Sequence, residues 1–529
     1  MRRSLTLVVI LLLALSAAVA APPANLQAAI EQLIAPVLAD TDFQHARLGI
    51  EIDSLDDHTT WYARAAHELF IPASTTKIAT TALALQVLTP DYRFTTRLLS
   101  DRRLSKGDLG VERTNLILQG GGDPLFSFAD LRALAHQCAL GDVGGDLPPL
   151  FLVNGHVRVD DSCFPARGPL YGEGWSAEDL PWYYAAPASA LCCNENAVAV
   201  SVRGTIPGMP AVVELIPETD LLQISNTTVT TDATTGDNDC GIVPLGYQIT
   251  VQGKVPAGKE VLAMVSMPDP DRFVLEQFAA DLQAEGITLR VCPPPDERAT
   301  LTVRPLEPHE NLTGATGDSM PGDLTPPALQ ITLRLAPFDM APDRALASHI
   351  SPRLRDVIRP MLKNSDNHMA EQLRWSLLAH LGIHEQFGPH YAALLADLCR
   401  QARLPLGEVH LVDGCGLSRL NRLSPYAMTQ LLAYFSASPF ADMFKDALPV
   451  AGVDGTLKDR MIGTPAANDA HAKTGTMTGI CTLAGYVTTQ GGEHLVFTIF
   501  INDYQGHASK PRALQDTLVG YLAGLRPEF

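Results

Sequence analysis

The sequence is short of positive charge, of long apolar runs and of paired cysteines, and each shortage excludes something. Lysine and arginine number 39 against 58 aspartates and glutamates, for a formal net charge of −19. So acidic a chain is a poor partner for nucleic acid. No cysteine stands in a Cys-x-x-Cys spacing, which argues against a zinc site. Beyond the first twenty residues no run is a convincing membrane span. No repeat of fixed period occurs. Gly120-Gly121-Gly122 is not followed by Gly-Lys-Ser or Gly-Lys-Thr, so it reads as a turn and not as a phosphate loop. No organic cofactor motif is present.

What is there begins with an export signal. Arg2 and Arg3 precede an apolar run from Leu5 to Leu15, and Ala18-Val19-Ala20 offers small residues for cleavage. The first cysteine is Cys138, so no lipid anchor is expected after residue 20. The mature protein is expected outside the cytoplasm, where disulfides form. Cys138 and Cys163 flank one short segment and are the favoured pair; the vicinal Cys192 and Cys193 are not expected to bridge each other.

At 529 residues the chain is long enough for more than one domain. Residues 24–39 carry helical apolar spacing, and two strand-like runs follow at 47–53 and 59–65. A helix is expected over 75–88. From about residue 91 to 312, short β-rich runs alternate with Gly- and Pro-rich turns. Residues 293–296 and 314–327 look like linkers. Ala328–Leu335 is a further strand-like piece. Helices are expected over 353–381, 391–402 and 425–435. Three strands, 472–477, 480–488 and 494–501, then precede a helix over 510–525. The expected fold is α/β (α+β): an antiparallel sheet between helices, with an inserted β-rich region. The expected division is a signal peptide at 1–20, a discontinuous catalytic domain at 21–90 and 316–529, and the insertion at 91–315.

Three short strings carry chemistry. Ser74-Thr75-Thr76-Lys77 opens a helix, where residues i and i+3 share a face, so Lys77 can reach the Ser74 hydroxyl. A serine nucleophile needs such a base. The apolar neighbours Ile71, Pro72, Ile78 and Ala79 imply that Lys77 is partly buried, which lowers its pKa. Ser365-Asp366-Asn367 falls between helical stretches. Lys473-Thr474-Gly475-Thr476 falls on a strand, where Gly475 leaves room for a ligand near the backbone. Alone, each string has a plain structural explanation: a helix cap, a polar turn, an edge strand with a surface lysine. Together and in this order they form the signature of penicillin-recognising serine acyltransferases.

The sequence resembles the class C low-molecular-mass penicillin-binding proteins, the D-alanyl-D-alanine carboxypeptidase and endopeptidase family. The resemblance also rests on Gly120 to Pro124 (GGGDP), Tyr183 to Asn196 (YYAAPASALCCNEN), Asn364 to Gln372 (NSDNHMAEQ) and Asp413 to Ser418 (DGCGLS). Ser365 lies 291 residues beyond Ser74, a gap that fits the family's inserted domains. Cys415 stands where the family commonly has serine, a departure that looks peripheral to the chemistry.

The resemblance implies a transpeptidase-type fold and an acyl-enzyme on Ser74, formed by peptidoglycan stem peptides or by β-lactam antibiotics. It implies Lys77 as base and Ser365 as proton shuttle. Asn367, Lys473, Thr474, Gly475 and Thr476 would bind substrate, and the N–H groups of Ser74 and Thr476 would form the oxyanion hole. No metal or cofactor is implied, and the periplasm is the natural location. A β-lactamase or esterase, and a penicillin or peptidoglycan sensor or scaffold, are the competing readings. Asp160 and Asp161 could meet an amine of the diaminopimelate residue, but are expected to be solvated loop acids.

Overall fold

Leu26, Ile30 and Ile34 repeat at helical spacing and form the buried stripe of α1 (Leu26–Leu38). That stripe lies on the sheet begun by β1 (Arg47–Ser54) and β2 (Thr60–Arg64). β1 is buried along seven of its eight residues, as a strand in the middle of a covered sheet must be. A single 3₁₀ turn, Ala73–Thr75, then leads into α2 (Thr76–Val87). Every residue of α2 from Thr76 to Leu85 is buried, so this is a helix of the molecular centre. The structure is a computed structural model that describes residues 23, 25–104, 114–141, 147–164, 170–234, 238–290, 345–383, 385 and 387–526. The expected signal segment, both expected linkers and the strand-like piece at 328–335 lie outside the described residues.

The inserted region follows with β3 (Thr95–Ser100), β4 (Leu116–Gln119), α3 (Phe128–Leu140), β5 (Leu152–Asn154) and β6 (Val157–Asp160). Next come β7 (Ala197–Arg203), β8 (Val212–Ile216), β9 (Gln223–Thr231), β10 (Gly241–Leu245), β11 (Gln248–Pro256) and β12 (Glu260–Ser266). It continues through α4 (Pro270–Ala284), β13 (Thr288–Arg290) and β14 (Ala345–Ile350). The strands form small sheets ordered β14-β3-β4-β6, β12-β7-β8, β10-β11-β9 and β13-β5.

Two findings modify the β-rich reading. α3 and α4 are well-capped helices: Ser127 and Asp130 form a reciprocal capping box, and Asp269 caps α4 ahead of Pro270. They pack together through Leu131, Leu134, Val274 and Phe278. β14 pairs antiparallel with β3, Ile350 opposite Thr95. Residues 345–350 therefore hydrogen-bond into a sheet of the inserted region.

The chain then builds α5 (Leu354–Asn364), α6 (Asn367–His380), α7 (Phe387–Gln401), β15 (Val409–His410), β16 (Arg422–Leu423), α8 (Pro425–Ser436) and α9 (Ala441–Ala447). It finishes with β17 (His471–Met477), β18 (Ile480–Thr488), β19 (His494–Asn502) and α10 (Ser509–Ala523). The main sheet is antiparallel with order β17-β18-β19-β1-β2. One face packs on α1 and α10, the other on α2 and the α5–α9 group. The sheet between helices matches the expected fold.

The expected Cys138–Cys163 bridge is not formed: both are free thiols. Cys138 packs into the apolar core beside α4, where burial pushes its thiol up to about 12. Cys163 donates instead to the Gly120 carbonyl at 3.3 Å. Cys192 and Cys193 are likewise unbridged. No described helix is long and apolar enough to cross a membrane.

Candidate active site

The three strings meet at one cleft edge. Ser74 sits in the 3₁₀ turn, one residue after Ala73, whose φ of 47° is left-handed. Such backbone is costly for a residue with a side chain and concentrates at functional sites. One turn on, fully buried Lys77 places Nζ 3.0 Å from Ser74 Oγ. The same nitrogen is 2.7 Å from Asn367 Oδ1 and 2.7 Å from the Cys415 carbonyl. Ser365, with a left-handed φ of 61°, breaks the chain between α5 and α6. Asp366 then caps α6 by accepting from Met369 N. Asn367, at the first turn of α6, donates its amide to the Tyr184 carbonyl at 2.9 Å. On β17, buried Lys473 donates to Ser365 Oγ and to the Thr474 carbonyl, each at 2.8 Å. A Cβ on Gly475 would lie 2.9 Å from Ser74 N, so glycine lets the strand run against the Ser74 turn.

The partners of Lys77 decide what it can do. Asn367 Oδ1 and the Cys415 carbonyl only accept, while the Ser74 hydroxyl can also donate. A neutral amine can give its two hydrogens to the first two and turn its lone pair to Ser74. Burial lowers the Lys77 pKa, against a raising pull from Asp366, Asp413 and Glu371. Burial, then repulsion by Lys77, pushes Lys473 well below the ordinary lysine range. The pair therefore resists carrying two charges at once.

The chain matches the D-Ala-D-Ala carboxypeptidase 3 (S13) family over residues 30–291 and 330–525. The chain belongs to that family. It is 30% identical to the D-alanyl-D-alanine carboxypeptidase of Actinomadura sp. strain R39, with 92% of this chain and 83% of that protein covered. It is 25% identical to the D-alanyl-D-alanine carboxypeptidase DacB of Haemophilus influenzae, with 87% and 86% covered. The crystal structure of penicillin-binding protein 4 from Haemophilus influenzae superposes with a TM-score of 0.73 at 21% identity. It spans 94% of this chain and 99% of that one, which establishes a common fold. This S13 peptidase is a serine-type hydrolase of the penicillin-binding-protein class.

Several residues that hold the Ser74 and Lys77 surroundings of this S13 peptidase escape a motif reading. The main chain at Cys415 meets Lys77 through its carbonyl, while its buried thiol, the atom that departs from serine, faces Asp413 at 3.7 Å. Gly416 has a φ of 90°, and a Cβ there would collide with the Ala73 carbonyl. The turn is held from behind by Glu371, which accepts from Gly414 N at 2.5 Å and Cys415 N at 2.9 Å and pairs with Arg374 at 3.1 Å. Asp413 accepts from Trp175 Nε1, Ser418 N and Asn421 Nδ2. Glu371, Asp413 and Cys415 converge, with the carboxylates turned to these N–H groups as a loop anchor. From the inserted region, three successive left-handed residues, Asn194, Glu195 and Asn196, bring Asn196 Nδ2 to 3.4 Å from His368.

Asp160 and Asp161 do not fit the expected solvated loop. Asp160 is buried and accepts from Gln119 Nε2 at 3.0 Å, on the wall of a separate cavity of about 380 Å³ that also borders Arg93, Arg97 and His380. Asp161 lies against the partly buried Asp271, and burial raises its pKa.

Proposed function

We propose that this chain is a D-alanyl-D-alanine carboxypeptidase and/or D,D-endopeptidase of peptidoglycan stem peptides, working in the periplasm after export and acylated by penicillin. The Lys77–Ser74 approach at 3.0 Å, with two pure acceptors on the other sides of Lys77, carries the reading. Ser74 Oγ attacks the carbonyl of the penultimate D-alanine and passes its proton to the neutral Lys77 amine. The Ser74 and Thr476 N–H groups receive the developing oxyanion. The substrate's carboxylate favours the shared charge on Lys473, which leaves Lys77 neutral. Ser365 accepts from Lys473, so its own hydrogen can pass to the leaving nitrogen as the C–N bond breaks while the Lys473 proton replaces it, and the single shared charge ends on Lys77. Asn367 and Gly475 border the peptide, and Thr474 and Thr476 offer hydroxyls. Water then releases the acyl group from Ser74. No step calls on a metal or an organic cofactor.

The cleft holding Ser74, Ser365, Thr474 and Thr476 has a volume of about 690 Å³. The test is covalent labelling of the mature protein by fluorescent penicillin beside Ser74→Ala, with penicillin loss followed in the same samples. One persistent label on the unmodified chain and none on the variant is expected. Neither label nor loss would refute the reading, and rapid loss would favour a β-lactamase.

A further inference from the structure

We infer that Arg512, on the first turn of α10, receives the carboxylate next to the scissile nitrogen and so sets specificity for the leaving group. This rests on the acyl-enzyme reading above and names a residue outside its three motifs.

The argument begins with which positive charges a bound carboxylate can touch. Lys473 is fully buried and points its ammonium at Ser365 and at its own strand. Its field reaches the cleft, but two of its three hydrogens are committed and its burial keeps it from the surface. The Thr474 hydroxyl is 2.7 Å from Thr456 Oγ1. Arg460 lines the same cleft, yet its guanidinium is tied to Asp516 at 2.7 and 2.9 Å and to Gln515 at 3.1 Å. Arg512 differs. It is exposed, and its Nη2 lies 3.4 Å from Thr476 Oγ1, a long contact that leaves most of the fork to a ligand. A guanidinium fork matches a carboxylate with two parallel hydrogen bonds.

The surroundings favour an anion as well. Lys458, Arg460 and Arg512 outnumber Asp459 and Asp516 along the cleft wall. This positive excess stands out in a chain of net charge −19 and would draw in an acidic chain end. Both leaving groups proposed above present a carboxylate on the carbon bearing the departing nitrogen. Arg512 therefore reads the feature common to a terminal D-alanine and to the D-centre of a cross-linking diamino acid.

The test compares an acyl-D-alanyl-D-alanine peptide with its C-terminal amide, in the unmodified protein, Arg512→Met and Arg512→Lys. For Arg512→Met, kcat/KM on the acid is expected to fall about tenfold to a hundredfold, the usual worth of a hydrogen bond to a charged group. Turnover of the amide should stay within about twofold, and Arg512→Lys should recover part of the loss. Full-occupancy penicillin labelling of each variant after long incubation reports an intact fold. An unchanged acid-to-amide ratio, or an equal fall on both substrates, overturns the inference. Absence of labelling and of cleavage in the unmodified protein would instead overturn the acyl-enzyme reading itself.

Discussion

Lys77 has three partners and, as a neutral amine, two hydrogens. That mismatch directs its lone pair to Ser74 and ties activity to one protonation state. Because burial lowers the Lys77 pKa, the acidic limb of kcat/KM should fall below the ordinary lysine value of 10.5. Replacing the neighbouring cation moves that limb in a definite direction. In Lys473→Met, no second charge opposes protonation of Lys77, so Lys77 holds its proton to higher pH. The acidic limb should therefore shift upward, as well as the rate falling. A pH profile of penicillin acylation measures this, and a downward shift would contradict the pairing of the two lysines.

Elements position these atoms by bringing backbone against backbone. Gly416 is the clearest case, since its φ of 90° and its closeness to the Ala73 carbonyl both require glycine. Gly416→Ala should destabilise the fold by about 1–3 kcal/mol or more, read as a lower thermal midpoint, and should slow labelling by penicillin by displacing the Ser74 turn. The reactive strings themselves were legible because their logic is local: Ser74 and Lys77 are one turn apart, and Ser365 ends a helix. The Cys415 carbonyl was not, since a main-chain oxygen has no signature in residue type. Helices α3 and α4 were lost among turn residues, although Ser127 with Asp130, and Asp269 with Pro270, are cap signals present in the sequence. The β3–β14 pairing joins segments about 250 residues apart, beyond the range of any local pattern.

Across the whole molecule, the inserted region is wired to the helix that carries Asn367. Gln372 on α6 holds both backbone groups of Ser189, donating to its carbonyl and accepting from its N–H. Little more than one turn away, Asn367 leans on Tyr184 of the same segment. Gln372→Ala strands buried polar groups and should cost about 1–3 kcal/mol in denaturant unfolding. It should also slow acylation, because the seam that steadies Asn367 loosens; normal acylation in a destabilised variant would show the two regions to be independent.

The order of the main sheet has a consequence for how the protein comes into being. β1 has as its inner neighbour β19, made several hundred residues later, with Arg47 opposite Asn502. Until β19 emerges, β1 presents an open edge, and β17 has no frame to carry Lys473 toward Ser365. Pairing over so long a stretch of chain is slow to find, and an open edge invites other chains. An unfinished chain is thus both inactive and prone to aggregate: the hydrolase cannot start work before β19 has been made.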